Sequence, residues 1–278
     1  MEVWLLNNLS TFTLAVVVVG GIVVVAVLGS ALTRRRYPQT ASGDHNEMVG
    51  VVLSMFGAIY GVILAFVIVT LWTQLENAEN VVAAEATAAA QIVRDAQAFP
   101  PAQRDAVDRA VDGYVHAVVE QQWPLMRDGQ GDYNRTAVKL EAVYRSLQGY
   151  QPSSHSEQTF YDEAVDSLGD VAGQRRARIT QSSQQLPVLL QVLVYGGAVV
   201  ILPLTFLYGI RSRRIQLLFV GSVAALIGFS LLLVLVLDRP FAGELSVSPA
   251  PFKEGALAKF WTGPVVPESG VADAPAGR

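Results

Sequence analysis

Cysteine is absent from all 278 residues, and charge is scarce, with Asp, Glu, Lys and Arg making up only 16% of the chain. The first absence excludes a disulfide-stapled secreted domain and a thiolate metal centre. The net charge of −4 lacks the basic footprint that nucleic-acid binding leaves. Histidine is nearly missing too, with only His45, His116 and His155. No phosphate-cradling glycine loop, dinucleotide fingerprint, zinc-protease helix or serine nucleophile elbow is present. With the common catalytic toolkits gone, no enzymatic activity, cofactor or metal is expected.

What remains is apolar surface, unevenly distributed. Hydrophobic residues make up 51% of the chain and the mean hydropathy is +0.36. They concentrate in four runs without a charge, residues 12–32, 48–72, 186–210 and 215–237. Each reaches the roughly 20 residues that an α-helix needs to cross a hydrocarbon core. None keeps the polar stripe of a helix buried in a globular core. The first run lacks a basic leader and is followed by Arg34, Arg35 and Arg36, which suits an anchor rather than a cleaved signal. The absence of charge inside all four argues against a proton-coupled pump, which needs buried ionisable relays. It leaves room for a pore built from apolar constrictions and backbone dipoles.

Residues 74–185 are the one large hydrophilic block, with 10 basic and 16 acidic side chains. Their periodicity is helical. A helix continuing the second run to residue 98 would present Leu75, Ala78, Val82, Ala86, Ala89, Val93 and Ala96, small enough for close helix contact, until Pro100 and Pro101 end it. A second helix is predicted over 102–122, facing inward with Val107, Val111, Tyr114 and Val118. A third over 134–147 would use Val138, Val143, Tyr144 and Leu147. A fourth over 156–183, capped by Ser156, would use Phe160, Ala164, Val165, Leu168, Val171 and Ile179. The fold class read from these patterns is an all-α membrane protein. Four transmembrane helices fall in segments 1–73 and 186–245, a helical bundle at 74–185 is inserted between the second and third, and a largely disordered tail follows at 246–278.

The two short connections carry Arg34, Arg35, Arg36, Arg211, Arg213 and Arg214. The opposite side carries Arg175, Arg176, Arg178, Arg239 and Lys253 near run ends. By the positive-inside rule this count places the short connections in the cytoplasm.

Few residues invite chemistry. Asp112, His116 and Glu120 share a helix face and could offer ligands to a metal; the plainer reading is a solvated charged face. Asp44, His45, Asn46 and Glu47 form a polar cluster before the second run, either a polar entry or ion site or a loop that caps the next helix. Within that run Gly57, Gly61 and Ala65 follow the small-xxx-small spacing of close helix packing, as do Gly50, Ser54 and Ala58. Met55, Ile59 and Ile63 form a separate apolar row that could face lipid, a neighbouring helix or a pore axis. Pro203 can kink the third run.

Several segments resemble the bacterial bestrophin-like family of four-span membrane proteins. They are His45-Asn46-Glu47 with Gly50, the stretch from Gly57 to Phe66 with Trp72, Glu85, Trp123-Pro124, Leu186-Pro187, and Asp238-Arg239-Pro240-Phe241 with Gly243, Val247-Ser248-Pro249 and Phe252. A more distant similarity runs to the pentameric bestrophin chloride channels. It is carried by residues 69–77, which are similar to the end of their pore helix, and by Arg239-Pro240-Phe241. The resemblance implies a homo-oligomer in the lipid bilayer of the bacterial plasma membrane. It implies an anion channel lined by the second span, with the neck at Met55, Ile59 and Ile63. The acidic calcium clasp of animal bestrophins has no counterpart, since residues 242–249 hold only Glu244, and the aromatic character of their neck is absent. The resemblance also implies a cytoplasmic bundle, opposite to the charge count, and both orientations stay open at this point. On the residues alone, a non-conducting scaffold or sensor whose helical block binds a partner stands as the alternative.

Overall fold

Helices account for every regular element among residues 2–38, 43 and 45–262, the part of the chain that the computed structural model describes. In order they are α1 (Glu2–Asn8), α2 (Thr11–Arg36), α3 (Asn46–Asp95), α4 (Pro101–His116), α5 (Trp123–Arg127), α6 (Ala137–Gln148), α7 (His155–Ser182), α8 (Val188–Phe206) and α9 (Arg213–Leu237). Four of these, α2, α3, α8 and α9, are long and apolar enough to cross a membrane.

The four apolar helices pack through small residues. On α2 and α9, Ala26, Val220 and Ala224 are buried against one another. The Cα of Val19 lies so near Gly228 that an added Cβ would stand 3.2 Å from it. On α3, Tyr60 lays its ring across Gly197 of α8, where a Cβ would collide with it, and donates a hydrogen bond to the Val194 carbonyl at 2.8 Å. The Gly57–Gly61 face is different. No atom lies within 4 Å of where their Cβ atoms would be, and the stripe opens onto a cavity of about 500 Å³ beside α9. The small-residue spacing there does not bring two helices of this chain together.

α3 is one helix of 50 residues, passing from the apolar layer into the bundle without a break. Glu47 in its first turn and Arg94 in its last suit the helix dipole. A 3₁₀ turn at Ala96–Ala98 and Pro100 finish it. The alanine stripe is buried as expected, with Ala78, Val82, Ala86, Ala89 and Val93 in the bundle core. Its partner is α7, whose inner stripe is Ala164, Leu168, Val171, Arg175, Arg178 and Ile179.

Several sequence expectations shift. The second soluble helix is α4 followed by a wide π turn at Ala117–Gln122, then α5. Pro124 has no amide hydrogen to give the Glu120 carbonyl, which accounts for the ladder losing register there. α6 buries Leu140, Val143 and Leu147 but leaves Val138 69% exposed. α7 starts two residues early. Its cap is Ser154, which has a glutamate three positions on in the capping arrangement, and the Ser154 hydroxyl accepts from the Glu157 amide at 3.2 Å. Phe160 and Val165 are exposed because they fall beside the buried face, which runs through Ala164, Leu168 and Val171 and continues through two arginines that an apolar count would not place inward.

The tail also differs from expectation in its first part. Residues 246–262 fold against the bundle, with 3₁₀ turns at Ala250–Lys253 and Gly255–Phe260 and with Phe252 and Leu257 fully buried. Residues 263–278 lie outside the described part of the chain.

Glu85 of α3 and Arg178 of α7 meet in the bundle core with both side chains fully buried. Arg178 donates through Nε to Oε2 at 2.6 Å and through Nη2 to Oε1 at 3.0 Å. Removing either partner leaves the other charge buried alone. Glu85→Ala or Arg178→Ala should therefore each cost about 3–5 kcal/mol, whereas Glu85→Leu with Arg178→Met should recover most of that loss. Denaturant unfolding of the wild type and the three variants in detergent checks this, and additive losses in the double variant would contradict it.

Candidate functional site

The residues that carry the family resemblance lie far apart in sequence, and four of them, Glu85, Trp123, Phe241 and Phe252, gather at the Glu85–Arg178 pair. The Tyr114 hydroxyl of α4 donates to Glu85 Oε1 at 2.5 Å. Gln122, turned inward by the π segment, accepts from Arg178 at 3.2 Å and from Thr136 at 2.9 Å. Thr136 in turn accepts from Arg175 Nε at 2.7 Å. Above the guanidinium of Arg178 sit the rings of Trp123 at 5.9 Å and Phe252 at 6.0 Å. Trp123 also meets Phe241 edge-on at 5.7 Å. Burial, joined by the Glu85 charge, pushes the Tyr114 hydroxyl well above its usual range. Burial pulls the Arg178 guanidinium down, but Glu85 outweighs it and the net shift is upward. Glu85 and Arg178 cancel each other's charge, Arg175 adds one positive charge at the edge of the buried cluster, and the work of the cluster is to fix α3 against the bundle.

The post-span motif is a joint. Asp238 at the end of α9 accepts from the Leu186 amide at 2.6 Å, closing the entry to α8. Arg239 lies 2.8 and 2.9 Å from the Gln185 side-chain oxygen. Pro240 accepts from the Val247 amide at 2.8 Å, and Phe241 inserts into the bundle core. These four residues tie the apolar layer to the bundle.

In the polar cluster before α3, Asn46 makes the contacts. Its side chain donates to the Gly209 carbonyl at 2.7 Å and accepts from the Gly209 amide at 2.8 Å, pinning the α8–α9 connection to the start of α3. His45 makes no capping bond and, with Glu47, stays exposed beside a shallow depression. Asp44 lies outside the described residues.

The candidate pore row is only partly aligned. Met55 is 58% and Ile59 is 53% exposed, while Ile63 is half-buried. An i, i+4 row drifts around a helix of 3.6 residues per turn. The face of α3 left open by the rest of the chain instead follows Met55, Ile59, Val62, Phe66 and Val69, then Thr73, Glu76, Asn80, Ala84 and Thr87. Ile63 turns toward α8 and, with Ile59, borders an apolar groove of about 430 Å³. The Trp72 indole donates to Glu76 at 2.7 Å and draws that carboxylate along the helix.

Two expectations drawn from charge are revised. No cluster of three metal-ligating side chains occurs among the described residues. His116 instead docks the tail. Nδ1 lies 3.0 Å from Glu120, Nε2 lies 3.1 Å from the Phe260 carbonyl, and the ring packs 4.1 Å from that of Trp261. Lys259 adds an ion pair to Asp108 at 2.7 Å. In the orientation count, Arg175 and Arg178 are consumed inside the bundle, leaving Arg176, Arg239 and Lys253 against six arginines at the short connections.

With this geometry in place, comparison with known proteins is informative. A family model described as the Bestrophin-like domain matches residues 20–252. Among solved structures, a variant of a bacterial Bestrophin homolog from Klebsiella pneumoniae is similar, with 15% identity, a TM-score of 0.64, and coverage of 88% of this chain and 99% of that one. A second variant of that homolog gives 14% identity, a TM-score of 0.60, and coverage of 87% and 96%. A structure described only as a membrane protein gives 13%, 0.62, and 87% and 95%. At these identities the likeness concerns the fold. No curated protein matches the chain.

Both partners of the His116 ring are acceptors, so the ring satisfies both only when each nitrogen carries a proton. Burial lowers its pKa, but Glu120, the Phe260 carbonyl and Asp112 more than offset this, and the net shift is upward. Docking of the tail should then be strongest below about pH 6.5 and weaken as pH rises through the elevated value. Amide exchange over residues 250–262, corrected for intrinsic rate, should quicken between pH 6 and pH 9, and His116→Phe should flatten that dependence.

Proposed function

The chain belongs to the Bestrophin-like family, and from that premise we propose that it is a multi-pass ion channel of the bacterial plasma membrane. In this reading four spans hold a ring of identical subunits, five if the ring follows the bestrophins. α3 of each copy lines a central path for chloride or other small anions.

The observation that carries this reading is the open face of α3. One side of the helix is buried against α8, α9 and the bundle from Tyr60 through Leu71 and Ala78 to Ala89. The opposite side stays uncovered through both layers. It is apolar from Met55 to Val69 and polar or small from Thr73 to Thr87. Around an axis, those two stretches would form a dry constriction and a wetted vestibule. Apolar rings of this kind gate by excluding water and do not need intramembrane charge. Met55 and Ile59 are the constriction in this reading. Ile63, nearer α8, forms its flank.

Native mass spectrometry of the purified complex, with a subunit of 29.9 kDa, tests the ring, and a monomer or dimer would remove the axis on which this reading depends. Chloride efflux from vesicles tests conduction. Ile59→Trp should lower the flux by about tenfold or more and Ile59→Ala should raise it, because side-chain bulk sets the aperture of an apolar constriction. Ile63→Trp, which also strains the α8 contact, is the poorer probe. An intact ring with no flux above empty vesicles would favour the scaffold reading.

A further inference from the structure

At the end of the apolar layer farthest from the bundle, α2 finishes with Arg34, Arg35 and Arg36, and the α8–α9 connection and α9 bring Arg211, Arg213 and Arg214 to the same level. Arg34 holds the α8–α9 connection. It donates to the Ile210 carbonyl at 2.9 Å, the Arg211 carbonyl at 2.7 Å and Gln216 Oε1 at 2.5 Å. All three acceptors are neutral. Arg35 and Arg213 are exposed, and among the described residues every ion pair lies in the bundle or its tail, none at these arginines. Among the described residues, positive charge is gathered here without an ion-paired carboxylate.

The same residues shape a cavity of about 540 Å³, with Arg34, Arg35 and Arg213 on its polar side and Leu28, Leu32 and Leu217 on its apolar side. Leu28 and Leu32 are 63% and 68% exposed and run along α2 toward the middle of the layer. The first turn of α9 opens nearby without a side-chain cap, which adds the partial positive charge of free amides. Arginines at the rim with leucines below match an anionic head on an aliphatic chain, and a soluble anion would leave the leucine wall unused.

We propose that this pocket binds the phosphodiester headgroup of an anionic phospholipid, with the arginines on the phosphate and the leucines along the first methylenes of the acyl chain. The inference rests on the four-span reading above and is independent of conduction.

The test uses the full chain, delipidated in neutral detergent, and counts bound lipid by native mass spectrometry. Phosphatidylglycerol is compared with phosphatidylcholine of the same chains and with inorganic phosphate. Two arginines near a bilayer surface should favour phosphatidylglycerol by about 30-fold. The double variant Arg35→Gln with Arg213→Gln should lose most of that preference. Its unfolding midpoint without lipid should stay unchanged, because Arg34 keeps its bonds. Equal retention of the two lipids, an undiminished preference in the variant, or inorganic phosphate binding as tightly as phosphatidylglycerol would each overturn the assignment. Alkaline extraction of native membranes separates the two readings. Release of the protein sinks both, whereas retention in the pellet without lipid preference sinks only this one.

Discussion

A glutamate and an arginine without access to water are a poor way to gain stability and a strong way to specify geometry. Desolvating Glu85 and Arg178 costs several kcal/mol per ion, and their attraction returns this only when the contact is close and the remaining hydrogen-bonding capacity is filled. Four elements around the pair contribute to that filling. α4 supplies Tyr114, the π turn supplies Gln122, α5 supplies Met126, and the tail closes the guanidinium with Phe252. A helix shifted by one residue would leave a charge unpaired, so the pair sets the register between α3 and α7. The alanines of α3 allow the close approach that the short ion contact requires.

This also explains why residues that carry the resemblance are scattered along the chain. Glu85, Trp123, Phe241 and Phe252 belong to one cluster, and Leu186 and Asp238 close the seam directly beside it. In this chain those six residues attach the helical bundle to the apolar layer. The candidate path of α3 is downstream of that attachment. Its side chains need only be apolar and of suitable size, which the Met55 to Val69 stretch satisfies with few distinctive residues.

Much of the architecture was legible because its physics is local. Charge-free runs of sufficient length, the alanine stripe beyond Trp72 and the prolines after Phe99 each act within a few residues. The failures share a cause. Arg175 and Arg178 occupy core positions only because Glu85, 93 residues away for Arg178, makes them tolerable there. A reading by hydrophobic period could not see this, and without those two positions it drew the inward face through Phe160 and Val165. The tail turns at 250–260 have no period to read, and their anchors, Phe252 and Leu257, are single residues. His116 illustrates the same limit. Its helical neighbours suggested a metal or a solvated face, whereas its decisive partners, Phe260 and Trp261, come from the other end of the chain. The candidate pore row followed an i, i+4 line along α3, while the open face of that helix winds with the true helical repeat.

The continuity of α3 has a mechanical consequence. From Val62 to Phe99 the chain holds no glycine or proline, and α3 is unbroken over 50 residues, about 75 Å. Such a rod has no hinge at the boundary between the two layers. A tilt of about 5° around Glu85 carries Met55, some 45 Å away along the axis, through roughly 4 Å, comparable to the length of its own side chain. A rearrangement around the ion pair that also released the contacts of Tyr60 and Asn46 would thus be carried, enlarged, to the far end of the helix.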